Sequence, residues 1–114
     1  MTPAVPNSYR TVFYVSDGTA ITTETVGHAV LSQFERTEFK QVTVPFVDSV
    51  ERAQSVVASI ERTYGEDGER PIVFSSLADA KLLKVLQISD ALVMDLFDTF
   101  ARQLEDELNT ESTH

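Results

Sequence analysis

Residues 11–34 constrain the fold more than any other stretch. Thr11, Val12, Phe13, Tyr14 and Val15 are β-branched or aromatic, with no polar alternation after Thr11. A strand of that kind is buried on both faces, as in a parallel sheet covered by helices. It runs into Ser16, Asp17, Gly18 and Thr19. A helical pattern follows, with Ala20, Gly27, Val30, Leu31 and Phe34 on one face at the 3.6-residue period. Gly18 reads as the sharp turn, and Ser16, Asp17 and Thr19 as side chains for turning and for capping the helix. Strand, glycine turn and helix start form the first half of a βαβ unit, and ligands of open α/β sheets collect at such strand ends. A plain βα loop uses the same order, so spacing alone leaves both readings open.

The pattern then repeats. Lys40, Gln41, Val42, Thr43 and Val44 read as a second strand, closed by Pro45. Asp48 with Glu51 reads as a capping box for a helix carrying Ala53, Val56, Val57, Ile60 and Tyr64 on one stripe and ended by Gly65 and the polar run to Arg70. Residues 71–74 read as a third strand. Ser76 with Asp79 reads as a capping box for a helix over residues 77–86 that packs Leu82, Leu83 and Leu86. Residues 91–94 are a fourth apolar run closed by Asp95, which periodicity alone does not separate from a helix. Phe97, Phe100, Ala101, Leu104 and Leu108 mark a last amphipathic helix.

This alternation predicts an α/β fold, Rossmann-like, with an open, mainly parallel four-stranded sheet and helices on both faces. One domain is expected over residues 10–108, between a flexible arm at residues 1–9 and a polar tail at residues 109–114. The buried stripes predict that neither face of the sheet needs further cover, although an edge strand stays open.

At 114 residues and 42% hydrophobic, the chain supports one modest core. Its net charge of −9 disfavours nucleic acid or an anionic membrane as a partner. A phosphate held locally by backbone N–H groups remains compatible with that charge. There is no cysteine, which rules out disulfides and thiolate metal sites and fits a reducing compartment. No apolar run reaches membrane-spanning length and residues 1–10 carry no signal-like apolar core, so a cytoplasmic location is expected.

In a parallel sheet the strand C-termini share one edge. Here that edge gathers Ser16, Asp17, Gly18, Thr19, Asp48, Ser75, Ser76 and Asp95, together with helix N-termini that favour an anion. Capping accounts for Asp48 and Ser76. Asp95 is either a cap for the last helix or a site acid, and Asp17 is the residue hardest to explain as packing. His28 reads as a surface helix residue or a site histidine, and Glu24 as a first-turn acid suited to the helix dipole.

Known catalytic templates do not fit these residues. There is no G-x-x-x-x-G-K-[ST] loop, and only Gly18 of a dinucleotide fingerprint is present. Asp17-Gly18-Thr19 supplies half of a D-x-D-G-T motif, but Val15 stands where that motif needs its nucleophilic acid. Lys40, Lys81 and Lys84 all fall away from strand ends, and no His pair has metal-ligand spacing. Catalytic residues and metal ligands therefore stay unassigned.

Longer motifs carry a resemblance. Residues 14–22, then Glu24, Gly27-His28-Ala29-Val30 and Ser32-Gln33-Phe34, resemble the opening of the phosphoenolpyruvate synthase regulatory protein family. Val44-Pro45-Phe46-Val47, residues 70–75 and Asp95-Leu96-Phe97 resemble its later stretches, so the likeness covers about residues 10–108. Sister proteins that regulate pyruvate, phosphate dikinase open with a Ser-Asp-Ser pattern, and Asp17-Gly18-Thr19 favours the synthase branch. The resemblance implies a bifunctional regulator. It uses ADP to phosphorylate a threonine on its target enzyme, and inorganic phosphate to remove that group as pyrophosphate. Acids at the strand ends could hold Mg²⁺, and a homodimer is left open. The family's phosphate loop, G-x-S-R-x-x-K-T, belongs to a C-terminal domain and does not occur in these residues. The chain thus resembles the family's N-terminal domain, inactive by itself. Ser16, Asp17, Gly18, Thr19, Thr22, Glu24, His28, Ser75 and Asp95 are candidates for contact with ligand or target. The alternative is a self-sufficient α/β module binding a phosphate-bearing ligand or a protein.

Overall fold

The computed structural model describes residues 8–112. Strands and helices alternate as β1 (Ser8–Ser16), α1 (Ile21–Leu31), β2 (Thr37–Val44), α2 (Val50–Asp67), β3 (Ile72–Ser76), α3 (Ala80–Gln87), β4 (Leu92–Asp95) and α4 (Leu96–Leu108). The strands form one open sheet in the order β2-β1-β3-β4, every pair parallel. This is the α/β architecture expected from the alternation. β1 is central, and its residues 11–16 are buried. Its Phe13 and Val15 enter the core on one face, and its Val12 and Tyr14 enter the core on the other. That two-sided burial is why the run lacks polar alternation.

Several boundaries move, and capping chemistry explains most of the shifts. α2 is capped by Ser49, whose hydroxyl accepts the Arg52 N–H at 3.2 Å, and not by Asp48. It also runs through Gly65 and stops at Gly68, where φ is +71° and the N–H returns to the Tyr64 carbonyl at 2.8 Å. A helix end is set by the residue able to turn left-handed, and Gly65 is not used that way. β3 extends through Ser75 and Ser76, so Ser76 is a strand residue and Asp79 caps α3. α1 ends at Leu31 and leaves Phe34 outside the helix, 56% exposed. β1 begins at Ser8, paired with Thr37 of β2, so Ser8 and Tyr9 belong to the sheet and not to the arm. Residues 1–7 of the expected arm and residues 113–114 of the tail lie outside the described residues.

The two faces of the sheet are covered unequally. On one, Ala53, Val56 and Ile60 of α2 with Leu82 and Leu86 of α3 close over Phe13, Val15 and Val73. On the other, the buried cluster is Val12, Tyr14 and Phe74. Tyr14 is fixed from all sides. It stacks on Phe74 at a centroid distance of 5.8 Å, meets His28 edge-on at 5.4 Å, and donates its hydroxyl to Gln41 Oε1 at 2.5 Å. Gly27 of α1 lies so close to the ring that a Cβ there would collide with Tyr14 Cε1. Only a residue without a side chain lets α1 approach this closely.

Beside this cluster an apolar groove of about 470 Å³ stays open, lined in part by Leu31, Phe34, Phe39, Ile72 and Met94. α4 does not fill it. None of its residues is buried, although Leu96 at its start packs against the Tyr14 cluster. The expectation that both faces would be fully covered therefore fails on this side.

Candidate functional site

β1 and β3 are neighbours in the sheet, while β2 lies beyond β1 and β4 beyond β3. The chain thus crosses over in opposite directions on either side of the β1/β3 pair. That switch point opens a crevice at the strand C-termini, the usual ligand position in this architecture. Ser16 is in register with Ser76 and Val15 with Ser75, which brings the two loops level. A cleft of about 330 Å³ lies here, lined by residues 16–23, Ser76 and Phe97.

The loop after β1 is tied on three sides. Ser16 Oγ accepts the Gly18 N–H at 3.0 Å. The Asp17 carboxylate reaches across to accept the Ala78 N–H at 3.1 Å, linking this loop to the turn before α3. From the other side, the N–H groups of Val47 and Phe46 donate to the carbonyls of Ser16 and Gly18 at 2.8 and 2.9 Å.

With these side chains so used, none caps α1. Its N-cap is Ala20, left-handed at φ +71°, with no side-chain bond to the first turn. This corrects the capping role expected of Ser16, Asp17 and Thr19. It also moves the left-handed turn, since Gly18 does not carry a positive φ. A left-handed alanine costs about 1–2 kcal/mol. The first-turn N–H groups of α1 have no side-chain cap and lie at the cleft, where they present partial positive charge.

Thr23 was not singled out by sequence. It is fully buried, and its hydroxyl and that of Ser76 share a hydrogen bond of 2.5 Å that joins α1 to the end of β3. Its signal was available. Thr23 lies on the stripe of Ala20 and Gly27, a hydroxyl on an otherwise apolar helix face.

Of the expected site residues, Ser16, Asp17, Gly18, Thr19 and Thr22 line this cleft. Ser75 and Asp95 do not. Ser75 Oγ donates to Asp95 Oδ2 at 2.9 Å, and Asp95 Oδ1 accepts the Asp98 N–H at 2.8 Å. Both oxygens of Asp95 are engaged, and the residue is the N-cap of α4. Asp95 borders a separate cleft of about 290 Å³ between the starts of α3 and α4. Glu24 and His28 lie farther along α1, against Tyr14 and outside the cleft lining. Burial, reinforced by the Glu24 charge, pushes the Tyr14 phenol up to about 12. Asp48 is exposed and also outside the lining.

The cleft offers hydroxyls and an uncapped helix start, with one carboxylate at its rim. Among the described residues no Lys or Arg lines it, and no group of three His, Asp or Glu converges as a metal shell. Asp17 and Asp95, the acids that could hold Mg²⁺, border different clefts. Phosphoryl transfer spreads negative charge that cations and fixed donors must offset. The arrangement suits holding a small anionic or hydroxylated group more than transferring one.

Comparison with known proteins gives the family of the chain. Residues 12–114 match the family described as kinase/pyrophosphorylase. A relative from Janthinobacterium sp. (strain Marseille), named "Putative phosphoenolpyruvate synthase regulatory protein", is 50% identical over 109 residues, 96% of this chain and 38% of the relative. Relatives of the same name from Alcanivorax borkumensis and Marinobacter nauticus are 52% and 43% identical, each over 92% of this chain and 39% of the relative. The chain spans less than two-fifths of the length of these curated relatives. No helix among the described residues is long and apolar enough to cross a membrane. With nearly all of its length matched, the chain belongs to the kinase/pyrophosphorylase family.

Proposed function

We propose that this chain is the N-terminal domain of a bifunctional regulator of phosphoenolpyruvate synthase. The full-length protein moves the β-phosphoryl group of ADP onto a threonine hydroxyl of the synthase, leaving AMP. It reverses the modification with inorganic phosphate, which takes up the phosphoryl group and leaves as pyrophosphate. The observation that carries this reading is the family match over residues 12–114 together with relatives named for regulating that enzyme. Transfer itself belongs to a part of the protein outside this chain, because the switch-point cleft brings no cation to a phosphoryl group. The cleft contributes contact. Its uncapped helix start and the hydroxyls of Thr19 and Thr22 meet a phosphate-bearing ligand or the target segment. Cytoplasmic residence follows from the same assignment, since the target is a metabolic enzyme.

The test incubates the full-length protein, and separately this chain, with ADP and the histidine-phosphorylated synthase, then with phosphate and the threonine-phosphorylated synthase. Turnover is expected only from the full-length protein. Asp17→Asn keeps an oxygen able to accept the Ala78 N–H, so it should leave the melting temperature nearly unchanged while lowering full-length activity. Turnover by this chain alone, abolished by Asp17→Asn, would relocate the catalytic centre to the β1 loop.

A further inference from the structure

α4 carries a complete helical stripe that no other helix or strand buries. Phe97, Phe100, Leu104 and Leu108 follow at spacings of three, four and four, and each is about half exposed. In a surface helix such a stripe faces a core. Here Leu96, at the first turn, joins the Tyr14 cluster, and the rest of the stripe does not. Contiguous exposed apolar surface of this kind marks an interaction site.

Charge narrows the occupant. Asp98, Glu105 and Glu107 edge the stripe, and Arg102, the one cation of α4, is already paired with Asp98 at 2.6 Å. A second copy brings the same acids and another net charge of −9 to the interface. Area points the same way. The stripe presents roughly 400 Å² of apolar side chain, about half of the ~800 Å² per partner that a stable bimolecular interface needs. A tethered segment needs far less, because tethering replaces the association cost with an effective concentration in the millimolar range. The relatives are long enough to supply one, since this chain covers only 38–39% of them.

We propose that the α4 stripe is the docking surface for the part of the full-length polypeptide outside this chain. That part presents an apolar helical face edged by Lys and Arg. The contact holds the two parts in register whatever chemistry either performs.

The chain has no cysteine, so single-cysteine variants report exposure cleanly. Leu104→Cys lies on the stripe. Asp106→Cys lies on the opposite face of α4 and serves as control. Maleimide labelling is followed peptide by peptide in this chain alone and in the full-length protein. Leu104→Cys should label about tenfold more slowly in the full-length protein, while Asp106→Cys stays within about twofold. Added salt should raise the protected rate, because acidic and basic rims attract less when screened. Equal rates in both contexts overturn the proposal. So does protection that disappears on dilution, in either context, which identifies a second copy as the occupant. Labelling is independent of turnover, so an error in the assigned reaction does not disturb this result.

Discussion

The two faces of the sheet are built from the same strands and finished differently. On the α2–α3 face, side chains from two helices close over Phe13, Val15 and Val73, and Ile60 and Leu86 are completely buried. On the α1–α4 face, one helix is locked down at Gly27 and Tyr14, an apolar groove stays open, and α4 buries none of its residues. Yet α4 is the more sharply amphipathic of the helices on its side. Amphipathicity read along a sequence shows which face of a helix seeks cover. It does not show whether the cover lies within the same stretch of chain. The contrast teaches that one face provides this chain's stability and the other its connections.

The largest expected effect is on the closed face. Ile60→Ala removes a fully buried side chain from α2 and should lower unfolding free energy by about 2–5 kcal/mol, read from the urea midpoint. A loss under about 1 kcal/mol would mean that α2 is loosely seated and that the two faces are alike after all.

Next comes the close approach of α1 to Tyr14 on the open face. In Gly27→Ala the added methyl meets Tyr14, whose ring cannot yield because Phe74 and Gln41 hold it. Overpacking costs about 1–3 kcal/mol, and the gain in helix propensity returns up to about 1 kcal/mol, so a net loss of about 1–2 kcal/mol is expected. Thermal unfolding checks it. A stabilised variant would show that α1 can lift from the sheet at little cost.

Tyr14 also gives a pH signature. Its phenol is raised to about 12 in the folded chain, first by burial and then by Glu24, against 10.0 unperturbed. Between those values the unfolded chain releases this proton and the folded chain keeps it. Stability contributed by the neutral phenol is therefore complete below pH 10 and is lost as pH rises toward 12. Absorbance titration should show a phenolate step near pH 12 that is missing in Tyr14→Phe. A Tyr14 step near pH 10 instead would mean that solvent reaches the ring and the α1 side is open there too.

Most of the fold was legible because β1, β3 and β4 centre on apolar runs, β2 is β-branched up to the closing Pro45, and alternation with helices fixes a parallel sheet. Cap positions were less legible. Asp48 and Ser49, or Ser76 and Asp79, are chemically interchangeable caps, and the choice depends on where the strand before them stops pairing. The site was half legible. The β1 loop and Thr22 do line the cleft, since strand ends and switch points follow from topology. That Asp17 reaches Ala78, that Ala20 takes the left-handed turn, and that Asp95 is used up as a cap depend on cross-chain geometry that no spacing encodes. Thr23 was missed because a threonine inside a helix ordinarily faces solvent, and only its partner Ser76 makes its burial favourable.

The smallest expected effect is on α4, and its smallness is the point. Leu104→Gln replaces a large apolar side chain at the middle of the stripe with a polar one of similar length. Leu and Gln have nearly equal helix propensity, so the backbone is indifferent to the change. Leu104 is 57% exposed and belongs to neither buried cluster, so the substitution leaves no buried cavity. Surface changes of this kind fall within about 0.5 kcal/mol. In this chain alone the urea midpoint should therefore stay put, even though the same exchange at Leu86, fully buried in α3, would be ruinous. A loss of more than about 1 kcal/mol would mean that α4 already packs on the sheet in solution, through the groove beside Ile72 and Met94. The difference between the two faces would then belong to one position of α4 and not to the fold.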